Sequence, residues 1–302
     1  MGTRIEAAAT AHRRGRLIGR GALHLSDAAA TRCLRRARHR SSELDLLINA
    51  GLYKDFNAAE PALASIIQDD LGANRGDPPR IGHHGTFSFD VVNGGCGVVT
   101  AAQLIDAFVG HGSAQLGLIV AADADPSPRT SRGFGFSAVG GALLIAHGDG
   151  DAGFQRFALR TYPEHASMFE SHLRFRPRTG FVRRGRNVVE IDEAPGFASC
   201  CVDRASELAR AFLADASVRP DDIDLVIASQ YPRGFGLQVA RQLGLPATRV
   251  PRVASDLQTA HTAGPIVALE AAIASGQFAD ARHTLFVTDG AGLTIGLALY
   301  RA

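Results

Sequence analysis

Two residues in this chain have the types and spacing to do covalent chemistry together. Cys96 follows Asn93-Gly94-Gly95, and His261 closes the run Gln258-Thr259-Ala260-His261. Each stands just ahead of an almost uncharged helical pattern, Val98 to Val109 after the cysteine and Gly264 to Ala274 after the histidine. A helix apolar nearly all round belongs in a core. A cysteine at the start of such a helix lies at the positive end of the dipole, which favours thiolate. The preceding glycines permit a sharp turn and leave room for a substrate. A thiol beside an imidazole is the pairing that activates a sulfur nucleophile. The plain alternative is that Cys96 is a small core residue, because free cysteine is among the most buried types. For His261 the alternative is a helix-entry residue bonded to a carbonyl.

An internal repeat must bring these two residues together. Asp45-Leu46-Leu47-Ile48 is nearly copied by Asp224-Leu225-Val226-Ile227. A helix ending at Gly72 has its counterpart in one ending at Gly244. Cys96 precedes Leu118, in the strand Leu116 to Ala122, by 22 residues; His261 precedes Leu285, in the strand Thr284 to Thr288, by 24. Strands alternating with helices imply βαβ units and largely parallel sheets. Two copies imply halves, residues 1–150 carrying the cysteine and 151–302 carrying the histidine, related by a pseudo-twofold axis that faces the helix starts toward each other. Other expected elements are a helix capped by Ser26-Asp27 and running to about Arg38, and one opened by Glu60-Pro61 over Ala62 to Leu71. Helices are also expected from Phe197 to Ala214 and around Gln238 to Leu243.

Bulk composition narrows the class. A 302-residue chain with 46% hydrophobic and 21% charged residues describes a soluble globular protein with a large core. No apolar run is long enough to span a membrane, and the first residues lack the apolar segment of a signal peptide. Four cysteines, two of them adjacent at Cys200-Cys201, do not form a disulfide framework, so the cytoplasm is the expected compartment. A net charge of +2 gives no reason to invoke nucleic acid. His83-His84 has no further ligands at metal-site spacing, so no metal is expected. Gly133, Gly135, Gly140 and Gly141 lack the GK[ST] ending of a phosphate loop. Arg174, Arg176, Arg178, Arg183, Arg184 and Arg186 form a dense basic stretch, read as a solvated loop or as a dock for an acidic carrier protein or coenzyme A phosphates.

The segments FDVVNGGCGVVTAAQLIDAF and DGAGLTIGLALYR resemble the thiolase superfamily, and within it the β-ketoacyl-ACP synthase III branch. The similarity runs from about Asp45 to the C-terminus, and roughly the last 85 residues align with that family without a gap. It implies a five-layered αβαβα dimer, homodimeric or paired with a related synthase, that closes the strand around Phe87 to Asp90 across a twofold. It also implies an acyl group loaded onto Cys96 from acyl-CoA or acyl carrier protein, with no cofactor beyond the coenzyme A or phosphopantetheine of the substrate. The oxyanion donors would be the Cys96 N–H and the turn at Gly290, Ala291 and Gly292, with Asn93 and Gln230 at the substrate. Backbone donors of this kind contribute about 3 kcal/mol each.

The chain departs from that pattern where it matters. Ser229 stands at the family's histidine position and Thr259 at its asparagine position. His261, two residues on, is placed to replace one of those donors, whereas Ser229 is expected to be a hydroxyl without a positioned partner. Residues 54–61, KDFNAAEP, resemble the thiolases that join two fatty acyl chains head to head in olefin biosynthesis, where a glutamate at the position of Glu60 reaches the partner's site as a base. Glu60 also reads simply as a first-turn acid favoured by a helix dipole. Two functions follow: an acyltransferase or condensing enzyme of fatty-acid, polyketide or other specialised biosynthesis, or a non-catalytic thiolase-fold partner subunit.

Overall fold

A computed structural model describes residues 2–12, 21–57, 60–73, 85–127, 130–148, 150–176, 186–290 and 292–302. In chain order its elements are β1 (Gly2–His12), α1 (Ala22–Ala37), β2 (Leu46–Asn49), α2 (Leu63–Asp70), β3 (Phe87–Asp90), α3 (Gly97–Gly110), β4 (Leu116–Asp123) and β5 (Val139–Gly148). Then follow β6 (Gly153–Thr161), β7 (Phe169–Arg176), β8 (Arg186–Glu193), α4 (Phe197–Asp215), β9 (Leu225–Ala228), α5 (Phe235–Gln242), α6 (Gly264–Ala274), α7 (Gln277–Asp280), β10 (His283–Gly290) and β11 (Thr294–Arg301).

The strands form a five-stranded sheet, β1-β5-β4-β2-β3, a four-stranded sheet, β6-β11-β10-β9, and the hairpin β7-β8. In the first sheet β2 runs parallel to β3 and β4, and in the second β9 runs parallel to β10. The remaining pairs in both sheets are antiparallel. Strand alternation sorts side chains into three apolar layers. Ile48 and Ile119 face inward onto Val98, Ile105 and Ile266, where they meet Ile227 and Phe286 of the second sheet. Leu47, Leu118 and Val120 face outward onto Leu34 of α1 and Leu63 and Ile67 of α2. Leu285, Val287 and Ile295 face outward onto Cys201 and Phe212 of α4 and Val239 of α5. The order is therefore αβαβα, with α3 and α6 as the shared middle layer. A middle layer covered on both sides requires helices without a polar face, which is why both lack charge over nearly their whole length.

The duplication extends to single hydrogen bonds. Asp45 Oδ2 accepts the N–H groups of Gln115 and Leu116 at the entry to β4. Asp224 Oδ2 does the same for Arg282 and His283 at the entry to β10. Each aspartate follows a short 3-10 turn, Ser41–Glu43 or Pro220–Asp222, with an arginine–carboxylate pair at its start.

Several local expectations are corrected. The first helix starts at Ala22, not after Asp27, because its cap comes from 33 residues downstream: Asp55 accepts the N–H groups of Ala22 and Leu23 at 2.9 and 3.0 Å. The second helix begins at Leu63, where Asp90 on β3 accepts Leu63 N–H and Ala64 N–H while also pairing with Lys54. Strand β1 gave no sequence signal, since its alanine-rich run lacks the β-branched residues that mark strands. Part of the basic stretch is not a loop. Arg174 and Arg176 stand on β7 and, with Arg132, pair with the buried Glu190 of β8. Arg178, Arg183 and Arg184 lie outside the described residues.

Candidate active site

The turn into α3 sets the position of Cys96. Asn93 has φ −146° and ψ 39°, and residues Gly94–Cys96 form a 3-10 turn that runs directly into the helix. Gly95 allows the turn to approach the second sheet. A Cβ on it would lie 2.3 Å from the Asp289 carbonyl oxygen and 3.2 Å from Ser229 Oγ. Gly290 serves the same approach from the other side, since a Cβ there would lie 2.8 Å from the Asn93 oxygen and 3.6 Å from Cys96 Sγ. The sulfur is thus enclosed where the first half's turn meets the ends of β10 and β11. Its thiol donates to Thr294 O at 3.3 Å.

Burial changes the chemistry expected of this thiol. Cys96 is fully buried. Desolvation pushes its pKa up, the Asp289 charge adds to that, and the lowering by Thr288 and Gly296 does not offset them. The expected thiolate at a helix start is therefore not the resting form; the sulfur holds its proton. The Cys96 N–H, expected as an oxyanion donor, is already bonded to Asn93 O at 3.0 Å. Gly292 has φ +77° with open space where a side chain would be, and Ala291 lies outside the described residues.

His261 has a partner that sequence reasoning missed. Its Nδ1 lies 3.0 Å from Asp123 Oδ2, which also accepts the backbone N–H and hydroxyl of Thr262 at 2.9 and 2.7 Å. The other Asp123 oxygen accepts the N–H groups of Leu52 and Tyr53 at 3.0 and 2.7 Å. Burial alone would raise the Asp123 pKa, but the imidazole and these donors hold it below the usual carboxylate range. An ionised carboxylate only accepts, so Nδ1 carries the hydrogen and Nε2 is the basic nitrogen. The ring stacks on Phe136 at 4.5 Å, with Tyr53 at 5.6 Å. None of the described hydrogen bonds joins His261 to Cys96 directly.

Ser229 and Asp289 lie against the cysteine turn. Contrary to expectation the serine is positioned: its Oγ accepts the Asp289 N–H at 3.2 Å, and both residues are buried. Asp289 is pushed up to about 7 by desolvation, against the lowering influence of Ser229, His261 and Cys201. Both missed aspartates end an apolar strand, Asp123 closing β4 and Asp289 preceding the last residue of β10. A lone acid at the C-terminal end of a buried strand was the available signal, because α/β sheets place their ligands there.

The remaining predicted residues scatter. Gln230 turns its side chain back to Ala228 O at 2.9 Å, and Thr259 bonds Ser137 at 2.8 Å. Asn93 bonds Thr100 at 3.1 Å, so its side chain braces α3. Glu60 is exposed ahead of α2, with no described contact to Cys96. A cavity of about 910 Å³ is lined by Ser229, Gln230, Arg233, Arg252 and Val253 among others, and of these Ser229 has its Oγ near Gly95 of the cysteine turn. Among the described residues no His, Cys, Asp and Glu cluster would hold a metal ion, and no helix is long and apolar enough to cross a membrane. His83 and His84 lie outside them.

Comparison with known proteins agrees with this architecture. Residues 213–302 match the family model for the C-terminal part of 3-oxoacyl-[acyl-carrier-protein] synthase III. The β-ketoacyl-[acyl-carrier-protein] synthase III of Aquifex aeolicus is 27% identical over 287 residues, covering 92% of this chain and 83% of that protein. The crystal structure of the 3-oxoacyl-[acyl-carrier-protein] synthase III from Aquifex aeolicus superposes with a TM-score of 0.78 at 19% identity, covering all of both chains. A Xanthomonas campestris OleA structure with bound lauric acid and lauroyl-CoA superposes at 0.81 with 14% identity, over 100% of this chain and 99% of that one.

Proposed function

We propose that this chain, which is similar to β-ketoacyl-ACP synthase III, is a thiolase-superfamily acyl-thioester transferase or condensing enzyme working through an S-acyl-Cys96 intermediate. The observation that carries this reading is the enclosure of Cys96 Sγ by Gly290, Gly296 and Thr294 where the two halves meet. A neutral, buried thiol is a poor nucleophile until its proton is removed. Once acylated, it exchanges its hydrogen for an uncharged thioester, which suits an apolar pocket. His261, oriented by Asp123, acts on the second substrate as base or hydrogen-bond donor through Nε2. The cavity beside Ser229 is the approach for the thioester, with Arg233 and Arg252 offering charge to the phosphates of coenzyme A or of an acyl carrier protein's phosphopantetheine.

The likeness to an OleA that binds lauroyl-CoA supports a long-chain acyl-CoA as a first substrate to try. Dimerisation through β3 completes the proposal. This strand is an edge of its sheet, and Phe87 and Val92 are 57% and 58% exposed there. An unpaired edge with apolar side chains is suited to cover by a second copy. In that dimer Glu60 belongs to the neighbouring site.

A second reading, a non-catalytic partner subunit, is favoured by Ser229 and Thr259 at the family's histidine and asparagine positions. Incubation with acyl-CoAs of several lengths, followed by intact-protein and peptide mass spectrometry, decides between them. An acyl adduct on Cys96 supports the enzyme. Its absence across the panel, with the thiol still alkylated by iodoacetamide, supports the subunit.

A further inference from the structure

The sulfur of Cys96 is walled in, and its walls differ in how they can give way to an acyl group. Gly290 and Gly296 both stand beside it. At Gly290 the atom nearest to an added Cβ would be the Asn93 carbonyl oxygen at 2.8 Å, with the sulfur at 3.6 Å, so backbone closes that side. At Gly296 the three nearest atoms would all be side-chain atoms: Thr288 Oγ1 at 2.7 Å, Leu159 Cδ2 at 3.1 Å and Cys96 Sγ at 3.3 Å. Thr288 is fully buried, and its hydroxyl is committed to the Gly296 carbonyl at 3.0 Å. Leu159 has no such tie. It stands on β6, an edge of the second sheet, and is 39% exposed, so a change of rotamer can carry its tip into solvent.

The backbone of that edge is held while the leucine side chain is free. Leu159 is paired with Gly296, and Thr161 with Thr294, in the β6–β11 ladder. The hydroxyls of Thr161 and Thr294 are bonded at 3.0 Å, and Tyr162 N–H donates to Leu293 O at 2.8 Å. Thr294 is the residue whose carbonyl takes the thiol hydrogen. Strand β6 therefore flanks the sulfur's enclosure at two successive inward positions, one fixed by a hydrogen bond and one filled by an apolar side chain. Phe157, the next residue on that face, is half-buried against the core, so the surface beyond Leu159 stays apolar. A charged acyl chain would find no partner there.

Building on the acyl-transfer reading, we infer that Leu159 is a specificity-determining residue for the acyl chain. The chain of S-acyl-Cys96 leaves the sulfur over Gly296, displaces the Leu159 side chain and lies along the inner face of β6 toward Phe157. The opening is one side chain wide and apolar, so the substrate class it fits is an uncharged, unbranched acyl group. The cavity beside Ser229 then serves the thiol arm of the donor, and arm and chain occupy different sides of the cysteine turn.

The test labels Cys96 with alkyl methanethiosulfonates from methyl to dodecyl, read at its peptide by mass, in the wild type, Leu159→Ala, Leu159→Trp and Leu237→Trp. Each reagent joins its alkylthio group to the sulfur as a mixed disulfide and expels methanesulfinate, the thiol proton going to solvent. The chain's path is thus probed without any acyl-CoA. Leu237, half exposed on the wall of the 910 Å³ cavity, marks the alternative path. Leu159→Ala should speed dodecyl labelling roughly tenfold more than methyl labelling, and Leu159→Trp should slow it by a similar ratio, the scale of small size changes in an apolar pocket. Leu237→Trp should leave the chain-length profile as in the wild type. Leu159 variants with native circular dichroism and unchanged profiles overturn the proposal, as does a profile moved by Leu237→Trp instead. If Leu159→Trp does not fold, Leu159→Ala decides alone. A Leu159-dependent profile with no acylation by any acyl-CoA refutes the acyl-transfer reading and leaves Leu159 as the wall that admits a chain to the cysteine.

Discussion

Replacing Asp289 by asparagine should stabilise the protein above neutral pH. The magnitude follows from burial of the carboxyl. Its folded pKa is about 7 against an ordinary 3.8, a gap of roughly 3 units. At 1.36 kcal/mol per unit, ionisation inside the fold costs about 4 kcal/mol relative to the unfolded chain. Because the folded value is the higher one, the native state binds the extra proton between about pH 4 and 7. Stability is therefore greatest below pH 4 as far as this group is concerned, falls through that window, and levels off above 7. Asparagine keeps the size of the side chain and cannot ionise. The gain at pH 8 should approach 4 kcal/mol less whatever the amide loses in hydrogen bonding, and should vanish near pH 4. Asp27, also raised to about 7 by desolvation and by Asp70, gives the same slope, and lowered groups such as Asp90 and Asp123 give the opposite one. Only the difference between wild type and variant isolates Asp289. Urea titrations at pH 5, 6, 7 and 8 measure it, with the m-value checked for constancy. A variant equally or less stable than wild type at pH 8 would refute the argument, since the carboxyl would then be ionised at no cost.

Cys96→Ala should abolish acyl adduct formation while costing stability only on the order of 1 kcal/mol, since one small side chain replaces another; intact mass and thermal unfolding check both. His261→Ala should slow transfer of the acyl group to the second substrate roughly a hundredfold, as single-turnover chemical quench would measure, with acylation of Cys96 largely spared. Asp224→Ala strips the acceptor from two exposed N–H groups at the entry to β10 and should cost about 1 kcal/mol in urea unfolding. Sedimentation at micromolar concentration should give a dimer, and Phe87→Glu on the exposed edge should shift it toward monomer; a wild-type monomer would remove Glu60 from any shared site.

The sequence disclosed the layer order more fully than the site. Gly264 to Ala274 was legible to the residue because a Gly-Pro start and uncharged surroundings leave one interpretation for that stretch. The repeat could be read because Asp45 and Asp224 each stand immediately ahead of a short apolar strand of similar sequence. Helix α1 began earlier than expected because its cap is a tertiary contact from Asp55, invisible to any local rule. The hairpin β7-β8 was hidden because its arginines read as solvent-seeking until Glu190 is placed among them. At the site, Cys96 and His261 stood out by residue type, but their partners did not. Asp123 and Asp289 acquire meaning only when strand ends from different halves meet, and whether a thiol is ionised depends on burial, which one-dimensional spacing does not carry.

Asp123 has a consequence for how the molecule is made. Its carboxylate binds residues 52 and 53 on one side and residues 261 and 262, 138 and 139 positions away, on the other. Contacts of such long sequence separation form late, after the loop entropy between them has been overcome. During synthesis the first half emerges with Asp123 lacking the imidazole and Cys96 lacking Thr294 as its lid. The nascent thiol is then more open to solvent and to oxidants than it will ever be again. Its protection arrives with β11, so maturation of the sulfur from accessible to enclosed should track the emergence and docking of that strand.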